Sequence, residues 1–422
     1  MLKSKHIYYL DYYLWFLFWS DIIVAFSPLT AVSYLRGAIT LVYMIWLLPK
    51  VLPARLNKYP LPAALVVVYA IYCFLLIFIA RDLFISTYNY IRAFQALLLF
   101  PAAYFIFRSE QHIDVFARSF INLVIAASLY LMLSYFLGIG ATQRYTLDFA
   151  AGRVNLNTLT YLIILTPAFA IRLNLRNYPV KNYLVMATLL FAIFIAVSSV
   201  KRTTIFFIAL SFVLYLLFTP REYKNQFRKA TVFLVFVLFL TSSFYYDTIA
   251  TRLSVRQDAY GVENLEQEGR ILELKVVYRE TFSFHDLRYS LIGRNVFDTP
   301  GSYGGSEFGH SFNPRRIIHN DFALIPNSTG IIGLLIYLNF LYLLGKRALK
   351  MIISKKTDSQ YAFLFTLMFI ISTLLMINGA FFSITHRAIP LIIMGAMARG
   401  YNPEIDTLRK KIEDIKTKKG TN

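Results

Sequence analysis

Apolar runs of about 17–25 residues recur along most of this chain, and each is long enough to cross a roughly 30 Å hydrocarbon core as a helix. Lipid leaves an open chain no other choice, because every backbone amide and carbonyl must bond within the segment. The sequence therefore predicts an all-α, polytopic membrane protein. Composition agrees. Of 422 residues 57% are hydrophobic and only 16% charged, where a soluble domain carries about a quarter.

The runs place spans near 8–27, 31–49, 61–80, 89–107, 119–139, 156–171, 182–199, 203–219, 230–247, 322–345, 361–378 and 384–398, about twelve in all. We read residues 1–422 as a single integral membrane domain. Within it, 248–318 form one large outer loop and 401–422 a basic cytoplasmic tail. The first span keeps Asp11 and Asp21 and has no clean small-residue cleavage site, so it reads as a retained signal anchor.

A net charge of +20 invites a nucleic-acid partner. Topology explains it better. With the N-terminus in the cytoplasm, about 26 of the 43 Lys and Arg fall on the cytoplasmic side and about eight in short outer connections or span ends. The long loop is close to neutral. The excess charge records orientation, with both termini cytoplasmic, and nucleic acid is not an expected partner.

The single cysteine, Cys73, excludes an intramolecular disulfide and a cysteine metal cluster. In the long loop, residues 262–284 space Ile271, Leu274, Val277 and Tyr278 as on one helix face, which predicts an amphipathic helix on the membrane or bundle. Residues 293–316 carry five glycines and two prolines and read as irregular and mobile. The tail spaces Ile405, Leu408, Ile412 and Ile415 on one face among lysines, so it is either an inner-leaflet helix or a frayed solvated one.

Ionisable residues at membrane depth need a partner, a wet cavity or a route to the interface. Those predicted to face outward are Arg36, Arg81, Arg92, Arg153, Lys201, Arg202, Arg387 and the loop residues. Lys201 and Arg202 occupy a very short outer turn, where they either snorkel to head groups or, for Arg202, point inward to a phosphate. Arg270 either forms a surface ion pair with Glu266 or Glu273 or binds an anion. His319 sits in Arg316-Ile317-Ile318-His319-Asn320-Asp321, where the long loop runs into an apolar helix. Asn320 or Asp321 suits an N-cap, and a near-neutral imidazole suits the activation of a hydroxyl. Asp-x-Asp, His-Glu-x-x-His and Gly-x-Ser-x-Gly are all missing from the sequence, so no metal site or serine nucleophile is predicted.

These pieces follow a known order. An outer Lys-Arg turn between two spans (Ser198 to Thr204) precedes Glu268-Gly269-Arg270 and Leu291-Ile292-Gly293-Arg294. After a Gly-rich stretch come His319-Asn320-Asp321-Phe322 and Asn327-Ser328-Thr329-Gly330-Ile331-Ile332-Gly333. Upstream lies Gly152-Arg153-Val154-Asn155-Leu156-Asn157. Over about residues 150–340 the chain resembles the bacterial O-antigen ligase and O-antigen or capsule polymerase superfamily.

That resemblance implies a type-C glycosyltransferase architecture in the bacterial cytoplasmic membrane, with its active site on the outer face. It implies transfer of glycan from undecaprenyl diphosphate to an acceptor hydroxyl, without metal, nucleotide or other cofactor. Arg202 and Arg270 would stabilise the diphosphate, and His319 would orient or deprotonate the acceptor. Arg153, Lys201, Arg316 and Asn320 would bind substrate. The expected partners are the carrier-linked glycan, an acceptor glycan or lipid A core, the bilayer and a chain-length regulator. A polymerase is the first reading and a ligase the second. A lipid-linked oligosaccharide flippase would instead show internal repeats and charges spread through its spans, and a non-catalytic scaffold would leave the polar cluster without a purpose.

Overall fold

The computed structural model describes residues 5–218 (except 28, 56, 57, 108, 145, 146, 151, 153, 155 and 199–201), 232, 246, 247, 269–297 (except 295), 318, 320–353 and 359–398 (except 380, 382 and 383). Regular structure among them is helical apart from one hairpin. The helices are α1 (Lys5–Phe26), α2 (Thr30–Val51), α3 (Leu61–Ile77), α4 (Leu83–Leu97), α5 (Leu99–Ile106) and α6 (Glu110–Phe136). The hairpin β1 (Ala141–Arg144) and β2 (Leu147–Ala150) is antiparallel. Then follow α7 (Leu156–Arg172), α8 (Pro179–Ser198), α9 (Arg202–Phe218), α10 (Gly269–Phe282), α11 (Leu287–Ile292), α12 (Asp321–Ile353), α13 (Ser359–Leu375) and α14 (Ile384–Ala398).

Among the described residues, Ala31–Val51, Glu110–Phe136 and Asp321–Ile353 are long and apolar enough to cross a membrane, and six shorter apolar helices accompany them. Along α2, Leu35, Ile39, Val42 and Trp46 share a face and are all exposed. An outward apolar stripe of that kind suits lipid, whereas water penalises it. The architecture is that of a helical membrane protein. At its centre stands α14, buried continuously from Arg387 to Met397 and packed against α4, α5, α7 and α13.

Where the apolar pattern is uniform, helices fall within a few residues of expectation. Two spans do not. The run 89–107 is two helices, α4 and α5, meeting at Leu98. Pro101 causes this: it has no N–H to give the Leu97 carbonyl, and its ring crowds that carbonyl. The span 230–247 lies almost wholly outside the described residues, as does the tail 401–422.

The larger departure is in α12, expected as one uninterrupted span over 322–345. Gly330 breaks it with φ 63° and ψ −168°, a region essentially closed to side chains. In a straight helix Asp321 and Tyr337 would stand about 24 Å apart. Instead, Asp321 Oδ1 accepts a hydrogen bond from the Phe381 amide at 3.1 Å, and the Phe381 ring lies 6.1 Å from that of Tyr337. The chain therefore bends sharply at Gly330. A first limb, 321–329, is buried against the bundle, and a second, 331–353, is roughly 34 Å long, enough to cross a membrane by itself.

The corner is clamped from two sides. A Cβ on Gly330 would lie 2.3 Å from the Leu291 carbonyl, and one on Gly293 would lie 2.5 Å from the Ser328 carbonyl carbon. Only glycine at both positions lets the two turns nest. The Arg294 amide donates to the Asn327 carbonyl at 2.9 Å, and the Tyr72 hydroxyl of α3 donates to the Thr329 carbonyl at 2.9 Å.

Those contacts bear on the long loop. Of the amphipathic helix expected over 262–284, residues 269–282 are helical as α10, and 262–268 lie outside the described residues. This helix buries Val276 and Val277 and packs on α12, while Lys275 and Arg279 face out. Burial against the bundle also raises the phenol pKa of Tyr278 on this helix. The Gly-rich segment, expected to be mobile, is anchored at its start. Val296 and Phe297 are buried, and Asn89 Nδ2 donates to the Phe297 carbonyl at 2.9 Å. Residues 298–316 lie outside the described part.

Candidate active site

Of the residues singled out in the sequence, His319, Arg153, Lys201 and Arg316 lie outside the described residues. Arg202 is the first residue of α9 and Arg270 the second of α10; for both, only the backbone is described. Asn320 is described in full. It is 5% exposed and caps α12. Its Oδ1 accepts from the Phe322 amide at 3.0 Å, and its carbonyl accepts from Leu324 at 2.8 Å. The helix start foreseen from Asn320-Asp321 is thus built by the asparagine, with its side-chain oxygen facing the backbone.

One turn beyond Arg270 on α10 is Glu273, expected as a partner in a surface ion pair. It is not at the surface. Glu273 is 3% exposed, and its Oε2 accepts from the Asn320 amide at 3.3 Å. A carboxylate on a backbone N–H at a helix start is favoured both by its charge and by the helix dipole. Glu273 thereby fixes the helix carrying Arg270 to the residue that follows His319.

Asp321 reaches the other way. Its hydrogen bond to Phe381 ties the first limb of α12 to the chain entering α14. There the sequence holds Arg387, 3% exposed and buried within an apolar helix. Arg387 Nη2 donates to the Tyr337 hydroxyl. The guanidinium carbon lies 4.6 Å from the Phe381 ring centroid and 5.9 Å from that of Tyr337. Phe381 in turn packs 5.3 Å from Phe297, the anchored start of the Gly-rich segment.

Arg202 joins the group through α7. Thr204, two residues on, accepts from Thr160 Oγ1 of α7 at 3.1 Å. The adjacent Tyr161 donates its hydroxyl to the His386 carbonyl at 2.8 Å, next to Arg387. The start of α7 is itself held by Tyr130 of α6, whose hydroxyl donates to the Gly152 carbonyl at 2.9 Å, one residue before Arg153.

An unbroken path of polar contacts and chain neighbours thus runs from α9 through α7, α14 and α12 to α10. It joins the N-terminal turns of all five helices at one end of the bundle. Unpaired N–H groups and the dipole make such ends favourable for anions. Among the described residues there is no group of three His, Cys, Asp or Glu able to hold a metal ion. The chain matches no model of a known protein family and no curated protein.

Glu273, Tyr337, Phe381 and the setting of Arg387 were not legible as site residues. Arg387 had one signal, a permanent charge inside an apolar run. Glu273 had none, because its partner is 47 residues away in sequence.

Proposed function

We propose that the protein is a membrane glycosyltransferase that polymerises glycan repeat units from an undecaprenyl-diphosphate carrier at the outer face of the bacterial cytoplasmic membrane. The proposal takes about twelve crossings in a type-C arrangement, with both termini cytoplasmic. The observation that supports it best is the Glu273–Asn320 hydrogen bond, which draws the helix of Arg270 to the residue that follows His319 in sequence.

In this reading His319 takes the proton of the acceptor hydroxyl as its oxygen attacks the anomeric carbon. The bond from that carbon to the diphosphate oxygen breaks, and the leaving diphosphate is stabilised by Arg202 and Arg270. Guanidinium suits the task because it stays charged and binds phosphate through two donors. Fixed cations aimed at developing charge lower the barrier without reorganisation. Arg153, Lys201, Arg316 and Asn320 complete the substrate contacts.

Deletion of the gene in its native cell, followed by gel analysis of surface glycans, tests the proposal. A polymerase predicts loss of long chains with single repeats still attached to their acceptor. Polymer accumulating on the carrier lipid would instead mark a ligase that joins glycan to lipid A core. Unchanged glycans would refute both.

A further inference from the structure

Arg387 is the most unusual charge in the described structure. It sits in the first turn of the central helix, 3% exposed, and its Nη1 has no hydrogen-bond partner among the described residues. Nη2 is committed to Tyr337, a neutral phenol, and the flat face of the group is covered by Phe381. Asp321 of the cluster has its Oδ1 on the Phe381 amide, and no described carboxylate lies within ion-pair distance of Arg387.

Two other arginines at span depth have counter-charges, whereas Arg347 near the far end of α12 also keeps a buried Nε without a described partner. Arg36 meets Asp21 at 2.6 Å, and Arg172 meets Asp114 at 2.7 Å. A buried cation without a counter-charge costs several kcal/mol, and Tyr337 and Phe381 only orient it. The turn that carries Arg387 is joined through Tyr161, Thr160 and Thr204 to the start of α9, where Arg202 lies, and through Phe381 to Asp321.

We infer that Arg387 is a further anion-binding residue of this site, its free Nη1 supplying a donor to a phosphate group of the ligand. The inference rests on the proposed function and extends it, making the diphosphate pocket reach into the bundle as far as α14. Tyr337 and Phe381 are then positioning residues that hold the guanidinium with one edge available.

The full chain, purified into nanodiscs of phosphatidylcholine, tests this by equilibrium binding of undecaprenyl diphosphate, inorganic pyrophosphate and phosphatidylglycerol. Wild type is expected to bind the first tightly. Arg387→Gln and Arg387→Lys are expected to weaken that binding roughly tenfold or more, the usual scale for a lost charged hydrogen bond. Binding of pyrophosphate with the same loss assigns the contact to the phosphates. Binding of phosphatidylglycerol with that loss, and of neither diphosphate, would mark a lipid head-group site and overturn the assignment. Variants that melt like wild type and bind undecaprenyl diphosphate as tightly would also overturn it.

Should neither arginine variant fold, Tyr337→Phe keeps the charge and frees Nη2. It is expected to change the affinity about threefold or more, and an unchanged affinity sinks the inference. A wild type that binds no diphosphate removes the proposed function with it. Wild-type binding with unaffected arginine variants removes only this inference.

Discussion

Glu273 and Asn320, 47 positions apart in sequence, meet through a carboxylate-to-amide hydrogen bond of 3.3 Å. Both are buried, and the bond joins α10 to the capped start of α12. Removing the acceptor strands a buried N–H. Glu273→Ala is therefore expected to lower stability by about 1.5–3 kcal/mol. Glu273→Gln, which keeps an acceptor oxygen, should recover most of it. Thermal unfolding of the two variants in detergent checks the order, and equal losses would show that the bond is not what Glu273 contributes.

His319→Ala is expected to reduce glycan transfer by roughly 10²–10⁴-fold, the range for a lost general base, with membrane abundance unchanged. Surface-glycan gels and immunoblots of the same membranes measure both. Transfer near the wild-type rate would remove histidine from the mechanism.

Arg270→Lys separates an anion contact from an ion pair. A bidentate grip on phosphate does not survive replacement by a point charge, so transfer should fall about tenfold or more. An ion pair with a neighbouring glutamate would tolerate lysine, and full activity would assign Arg270 to that role.

Gly330→Ala should fail to accumulate. Its Cβ would lie 2.3 Å from the Leu291 backbone at a φ of 63°; the backbone conformation alone costs about 1–3 kcal/mol, before the clash. Gly37→Ala is the control, because nothing lies within 4 Å of the added methyl. In that helix interior alanine should stabilise by roughly 0.5–1 kcal/mol. Fluorescence-detected size exclusion of both variants tests the contrast, and a well-folded Gly330→Ala would show that the bend does not need glycine.

Helix existence was written in local pattern, and α7, α8 and α9 begin and end within three residues of the runs that predicted them. The break at Leu98 was also local, since Pro101 announces it. The bend at Gly330 was not. Asn327 to Gly333 stood out as a motif, but glycine is tolerated within helices, and the bend is decided by Leu291 and Gly293, nearly forty residues earlier. The candidate site shows the same division. Its arginines could be named from their rarity in apolar surroundings. Glu273, Tyr337 and Phe381 became visible only through contacts between distant segments, which no periodicity encodes.

The break in α12 has a consequence for how deep its start lies. A hydrophobicity profile merges both limbs into one hump and leaves Asn320 at the waterline. The first limb, roughly 12 Å of helix, packs inside the protein, so a crossing would be counted from the corner at Gly330 and not from Asn320.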